Sequence, residues 1–452
     1  MKRTRPARLS LLLALLVVAG CARPPAAVQP KADPVTLKYM HMGVASDGRD
    51  RNRYVMQAFP NLVEERYPDI RIKTEMLPED AYTKSLLMQL SAGEGPDFFE
   101  WWPMRQLEEL AGAGYLQDLT GMDILQAFSP EALRGFTVDG RVYGLPKGFS
   151  MMGAWYNKDL LQRHGYREWP GDWDSFLELC ETLKREGITP IVMPGKDWWF
   201  LQFGLYPLAG SVIYPEEPDF DQQLLTGNAT FADSKWRDVL HMFKLLYDRG
   251  YIAPGSLETG AAQAAAWFNE GRAAIVFGGN WDYDSLTVSE GSDSEPGLGS
   301  DSDSDPVAPA GSASSAAAFE RGFMPLPGNA PGKPLYLSVG PAGGTVISKN
   351  TRNLPEVLDA LAYQFEAESP LRGEFRRQYR AFPMSPGEDL GIAEFAGYAD
   401  LMRSGRFVAF SNQAWPVGVA EAMCAGFQDW LAGEGDADAI LAAMDRELLR
   451  AR

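Results

Sequence analysis

Four short stretches of this 452-residue chain place tryptophan beside a carboxylate or an amide: Glu100-Trp101-Trp102, Asp197-Trp198-Trp199, Asn280-Trp281-Asp282 and Gln413-Ala414-Trp415. Indole rings pack on the C–H faces of a sugar ring, and acids and amides bond its hydroxyls. A ring with a polar rim is therefore the composition of a carbohydrate-binding surface. On that ground Glu100, Trp101, Trp198, Trp199, Trp281, Asp282 and Trp415 are candidate ligand-binding residues.

Catalytic chemistry has no comparable signature. Glycoside hydrolysis needs two carboxylates facing each other across a cleft, and no motif pins any of the 60 acidic residues to such a place. The sequence has no H-E-x-x-H, no paired C-x-x-C, no G-x-S-x-G elbow and no phosphate-binding loop. Its three histidines, His41, His164 and His241, are scattered, and His241 falls beside the apolar stripe of a helix. No catalytic residue, metal site or cofactor is expected.

Bulk composition narrows the partners. The net charge is −18, with 42 Lys+Arg against 60 Asp+Glu. A surface this acidic repels a phosphate backbone, which argues against nucleic acid. Of the three cysteines, Cys180 and Cys424 sit among apolar neighbours and read as buried thiols.

The remaining cysteine, Cys21, ends a distinctive leader. Lys2, Arg3, Arg5 and Arg8 precede the apolar run Leu9–Val18, which is too short to span a bilayer and has the length of an export h-region. Val18-Ala19-Gly20-Cys21 resembles the lipobox of bacterial lipoproteins, which implies lipidation of Cys21. Residues 21–34, rich in Pro and Ala, read as a tether.

The elements that must position the tryptophans alternate between strand and helix. Val35–Met40 and Asp69–Glu75 have strand patterning, as does Gly95–Phe99, with helical stretches between them. Pro60 is expected to kink or restart the first helix. Such alternation predicts a mainly parallel sheet covered on both faces, with ligand in the crevice beyond the strand carboxyl ends. That rule selects residues 41–50, 75–80 and 100–102. Further on, Trp173, Phe176, Leu177, Cys180 and Leu183 mark one face of a helix, with Asp172 at its N-cap and Gly187 at its stop. Residues 235–249 form another helix. Asn353 and Glu356 have capping-box spacing. Ser285–Ser315 is acidic and rich in Ser, Gly and Pro; it predicts a disordered insertion without the spacing of a calcium loop.

The order of several short motifs resembles the family-1 extracellular solute-binding proteins, the receptors of sugar ABC importers. The motifs are Asp139-Gly140-Arg141-Val142-Tyr143-Gly144-Leu145-Pro146, then Tyr156-Asn157-Lys158-Asp159-Leu160, then Trp173 and Phe176. They are followed by Phe268 to Ile275, Gly279-Asn280-Trp281, Pro325-Leu326-Pro327-Gly328 and Gly343-Gly344. The resemblance implies an α/β, two-lobed periplasmic-binding-protein-like fold of type II, each lobe a mixed, mainly parallel sheet flanked by helices, with a hinge between lobes. Residues 35–153 and 328–367 would form the N-terminal lobe, and 154–327 and 368–452 the C-terminal lobe. It also implies a carbohydrate ligand held between the lobes, with Trp101, Trp281, Trp415 and Ser150 lining the cleft. The partners it implies are ABC permease subunits, the membrane through the lipid on Cys21, and no second copy of the chain. Two rivals remain at this point: a surface carbohydrate-active enzyme, and a lipoprotein that presents its acidic loop to a partner.

Overall fold

The computed structural model describes residues 34–43, 50–287, 319–384, 387–416 and 418–451. Cys21, residues 21–33 of the tether and residues 288–315 of the expected insertion lie outside the described residues. Ser285–Thr287, grouped with that insertion by composition, instead complete the short helix Tyr283–Thr287, whose Leu286 is buried.

Two sheets carry the fold. The chain lays down β1 (Val35–Met42), β2 (Ile70–Leu77) and β3 (Phe98–Trp101), then the hairpin β4 (Thr137–Val138) and β5 (Arg141–Val142), then β6 (Gly144–Pro146). Asp139 and Gly140 turn the hairpin with φ of 49° and 76°, the left-handed pair that a two-residue loop requires. It continues with β7 (Phe149–Asn157), β8 (Thr189–Val192), β9 (Ala273–Gly279), β10 (Arg321–Met324), β11 (Leu337–Pro341), β12 (Gly344–Ile347) and β13 (Phe407–Val408). The first sheet has the order β2-β1-β3-β12-β6, with β12 antiparallel to its neighbours. The second has the order β13-β11-β7-β9-β8, with β10 also on β7, and β7 runs against the rest.

Apolar side chains cover both faces of each sheet. On the first, Tyr54, Phe59, Val357, Leu361 and Phe375 pack on one side, and Met40, Tyr82, Leu86, Phe99 and Leu107 on the other. On the second, helices Trp173–Arg185, Gln202–Val212 and Trp236–Asp248 fill one face, while Ala261–Asn269 and Ala396–Met402 cover the other. The helix Trp173–Arg185 begins where Asp172 Oδ1 accepts the Ser175 amide at 2.9 Å, and Gly187 follows it at φ 79°. Leu179 completes its buried stripe, with Leu177 half-buried at the margin.

Some local expectations change. The first helix restarts at Phe59, two residues before the Asn61 expected. A π-helical turn, Tyr54–Ala58, runs directly into Phe59–Arg66 with Pro60 in its first turn, so the change of helical form coincides with the residue that cannot donate. Asn353 starts its helix without a side-chain capping bond, and its amide donates instead to Asp97 Oδ1 at 3.3 Å.

The chain passes between the sheets three times, near residues 146–149, 341–344 and 379–383. Phe149 already belongs to the second sheet, a few residues ahead of the boundary read from sequence. β10 lies in the second sheet as expected, and β11 stays there too, so the return comes at 342–344 rather than 328. Phe375 and Tyr379 pack in the first lobe, and Ala381 in the second, so the last crossing follows Tyr379. The crossings are bonded to one another: Lys147 N to Gly343 O at 3.3 Å, Ala342 N to Gly148 O at 2.7 Å, and Phe149 N to Pro383 O at 2.8 Å. Gly148 sits at φ 120°, and a β-carbon there would lie 2.9 Å from the Pro383 carbonyl.

Candidate functional site

Strand directions decide where a site can be. The carboxyl ends of β1, β2, β3 and β6 form one edge of the first sheet. Those of β8, β9, β11 and β13 form one edge of the second. One crossing joins the end of β6 to the start of β7, and another joins the end of β11 to β12, so the two carboxyl edges meet at the crossings. Every singled-out tryptophan segment lies at or just beyond such an edge: Trp101 ends β3 with Trp102 following it, Trp198-Trp199 come after β8, Trp281 after β9, and Trp415 after β13.

On the first lobe the edge is ionic. Glu100 Oε1 lies 2.9 Å from Lys147 Nζ, and its other oxygen pairs with His41 Nε2. All three are buried, and Lys147 Nζ stands 5.3 Å from the Tyr379 ring centroid. The Tyr82 hydroxyl donates to the Glu100 carbonyl, and burial, aided by the Glu100 charge, holds that phenol well above its ordinary pKa. Charges taken out of water need compact pairing. Here the pairing ties the ends of β1 and β3 to the first crossing. Glu100 is thereby committed to Lys147 and His41. Trp101 is 3% exposed, with its indole N–H donating to Gln106 O at 3.0 Å. Its side chain sits in the core; Trp102, half-buried with its ring 5.0 Å from that of Trp101, is the more accessible indole at this strand end.

On the second lobe the edge is aromatic. Trp198, Trp199 and Trp281 are all half-buried. The Trp199 ring stacks on Phe200 at 3.7 Å and meets Phe203 edge-on at 5.7 Å. Phe203 lies 5.3 Å from Trp281, which lies 6.3 Å from Phe410. Two motifs eighty residues apart thus converge on one aromatic surface. Trp281 lies across Gly279, where a β-carbon would come within 2.3 Å of the ring. Asp282 closes the turn by accepting the Gly279 amide at 3.0 Å. Asn280, fully buried, accepts the Met151 amide at 2.9 Å and donates to Phe149 O at 3.1 Å and Ala381 O at 2.5 Å. It fastens β9 to β7 and to the third crossing. Ser150, 7% exposed, is opposite Gly340 on β11.

Trp415 is 1% exposed and walled in by Tyr206, Phe231 and Trp236. Its N–H donates to Asp221 Oδ1 at 2.9 Å, and the Tyr214 hydroxyl donates to Oδ2 at 2.8 Å. Burial pushes the Asp221 carboxyl up to about 6 against the pull of those two donors. This tryptophan shapes the edge from behind.

Lys147, Asn280, Tyr379 and Gln413 were not singled out from sequence, although Asn280 and Gln413 stand inside the quoted motifs and Lys147 directly follows Pro146. Their roles depend on contacts between residues far apart in the chain, which no local pattern carries. Among the described residues no group of His, Cys, Asp and Glu could hold a metal ion.

The family model for bacterial extracellular solute-binding proteins matches residues 46–369. The chain belongs to this family. Its relatives include the multiple sugar-binding protein of Streptococcus mutans, 28% identical over 204 residues, which are 44% of this chain and 46% of that protein. The chain spans about half the length of the curated relatives it matches. Among solved structures, a chitin oligosaccharide binding protein shares the fold with a TM-score of 0.75 at 21% identity, covering 93% of this chain and 99% of that one. RafE in complex with raffinose does so with a TM-score of 0.72 at 19% identity, covering 92% and 98%. The fold of this solute-binding protein is therefore the two-lobed one expected. Family membership places it outside the cytoplasm, in a family of binding proteins. No helix among its described residues is long and apolar enough to cross a membrane.

Proposed function

We propose that this solute-binding protein is a lipid-anchored receptor that captures a neutral carbohydrate, in particular an oligosaccharide, between its lobes and delivers it to an ABC importer. The observation that carries the reading is the meeting of two carboxyl edges, one of them faced by the half-buried rings of Trp199 and Trp281. The sugar-binding names of its relatives support the same ligand class. Ligand contacts to both lobes would favour a closed form through rotation about the three crossings, and the permease would recognise that form. The protein acts as a monomer and turns nothing over. The lipid on Cys21, added before cleavage makes that residue the N-terminus, holds it at the membrane; Cys21→Ser should abolish incorporation of labelled fatty acid.

The test is a thermal-shift screen of the purified full-length protein in detergent against raffinose, stachyose, chitin oligosaccharides and uncharged monosaccharides. A ligand at 100 times its dissociation constant adds about 2.7 kcal/mol to the native state. A selective upward shift, abolished in Trp281→Ala and without loss of ligand over hours, is expected. Cleavage products would identify an enzyme instead. A complete lack of shifts would remove the receptor reading.

A further inference from the structure

The motif around Trp415 contributes to the cleft through its other end. After β13 the chain makes a single helical turn, Ser411–Ala414, which packs against the first-lobe helix Arg105–Gly112 across the crevice. Gln413 in that turn is 5% exposed; its Nε2 donates to Pro341 O at 2.9 Å, beside the second crossing. Its Oε1 has no donor, and neither has Oδ1 of the adjacent half-buried Asn412. A buried acceptor without a donor is costly, so two of them on one turn at a ligand crevice mark where donors from outside complete the surface. Directly behind, Asp221 supports the same turn: it bonds Trp415, and Tyr214, its other donor, lies 3.3 Å from the Ser411 hydroxyl. Acceptor oxygens offer an anion no hydrogen bond, which disfavours one there.

We propose that Gln413 Oε1 and Asn412 Oδ1 form a hydroxyl-reading subsite for two neighbouring O–H donors of an uncharged sugar, with Gln413 the principal specificity residue. The proposal rests on the receptor reading and adds to it which ligand groups are read and by which atoms. Binding exchanges donor bonds to water for donor bonds to these oxygens, so a deoxy ligand leaves them without partners and is rejected.

The experiment is titration calorimetry on the full-length protein in detergent, with raffinose, stachyose and chitin oligosaccharides as probes, then with monodeoxy analogues of the tightest. Gln413→Met keeps the side-chain length and removes the acceptor; Gln413→Glu keeps an acceptor and loses the donor to Pro341. The expected result is a tenfold or greater loss of affinity in Gln413→Met and a smaller loss in Gln413→Glu. At least one deoxy analogue should bind tenfold more weakly to the unaltered protein yet lose nothing further in Gln413→Met. Equal losses from both variants, unchanged affinity in Gln413→Met, or analogue penalties that persist in the variant would overturn the subsite while leaving the receptor. Failure of the unaltered protein to bind any probe would overturn both.

Discussion

Asn280→Ala is the perturbation whose cost the structure defines most directly. Its side chain is fully buried and makes three bonds, to Met151 N, Phe149 O and Ala381 O. Alanine removes all three partners at once and leaves one amide and two carbonyls of the interior without them. Each abandoned group costs about 1–3 kcal/mol, and water entering the vacated space recovers part of that. A net loss of about 3–5 kcal/mol follows, a large share of the stability of an ordinary domain. The expected change is measured from urea midpoints followed by tryptophan fluorescence, with exposed Asn228→Ala as the control. Because the amide also holds the third crossing to β9, the same variant should change ligand affinity, whereas a core cavity elsewhere at equal cost should not. A loss below about 1 kcal/mol, or unchanged affinity alongside a full stability loss, would refute the assignment of Asn280 as the fastening of the crossings.

Three further outcomes are expected. Glu100→Gln leaves the buried Lys147 ammonium without its counter-charge and should cost about 3–5 kcal/mol, much of it restored by adding Lys147→Met; an unmoved unfolding midpoint would count against the buried cluster. Asp221, raised in the fold to about 6 from an ordinary 3.8, takes up its proton more readily when folded. Its share of stability is thus fullest below pH 4 and is lost as pH rises toward 6, by about 3 kcal/mol at most, so stability curves of Asp221→Asn should fall less over that interval. Cys180 and Cys424 are free thiols buried in the second lobe, and burial raises both. Neither should react with a disulfide reagent until the protein unfolds, after which both should titrate.

How much of this was legible in the sequence follows the range of the interactions. Asp172 and Gly187 bound their helix as read, because caps and stops are settled within a few residues. The crevice rule pointed to His41 and Glu100 near strand carboxyl ends, where they lie paired with each other, since strand ends are readable along the chain. Which face of an edge a side chain takes was not legible. Trp101 and Trp102 are adjacent, yet one sits in the core and the other at its margin, a difference set by β12 and the helix Arg105–Gly112 packing around them. The pairing of Trp199 with Trp281 through Phe203 and the burial of Trp415 by Trp236 are likewise tertiary facts. The return to the first sheet was hidden for the same reason: β11 has strand composition in either sheet, and only its pairing with β7 assigns it.

The place of β12 has a consequence for how the molecule is made. That strand lies between β3 and β6, yet it is formed by residues 344–347, more than three quarters of the way along the chain. An exported polypeptide emerges from its N-terminus, so the first sheet stays split until nearly all of the second lobe's sheet has come through. Up to that moment β3 and β6 present unpaired edges, the kind that invites pairing with other chains. Late completion keeps the first lobe unfinished for as long as the chain emerges progressively from its N-terminus. It also means that a chain arrested before β12 would yield an open half-sheet prone to association rather than a small receptor.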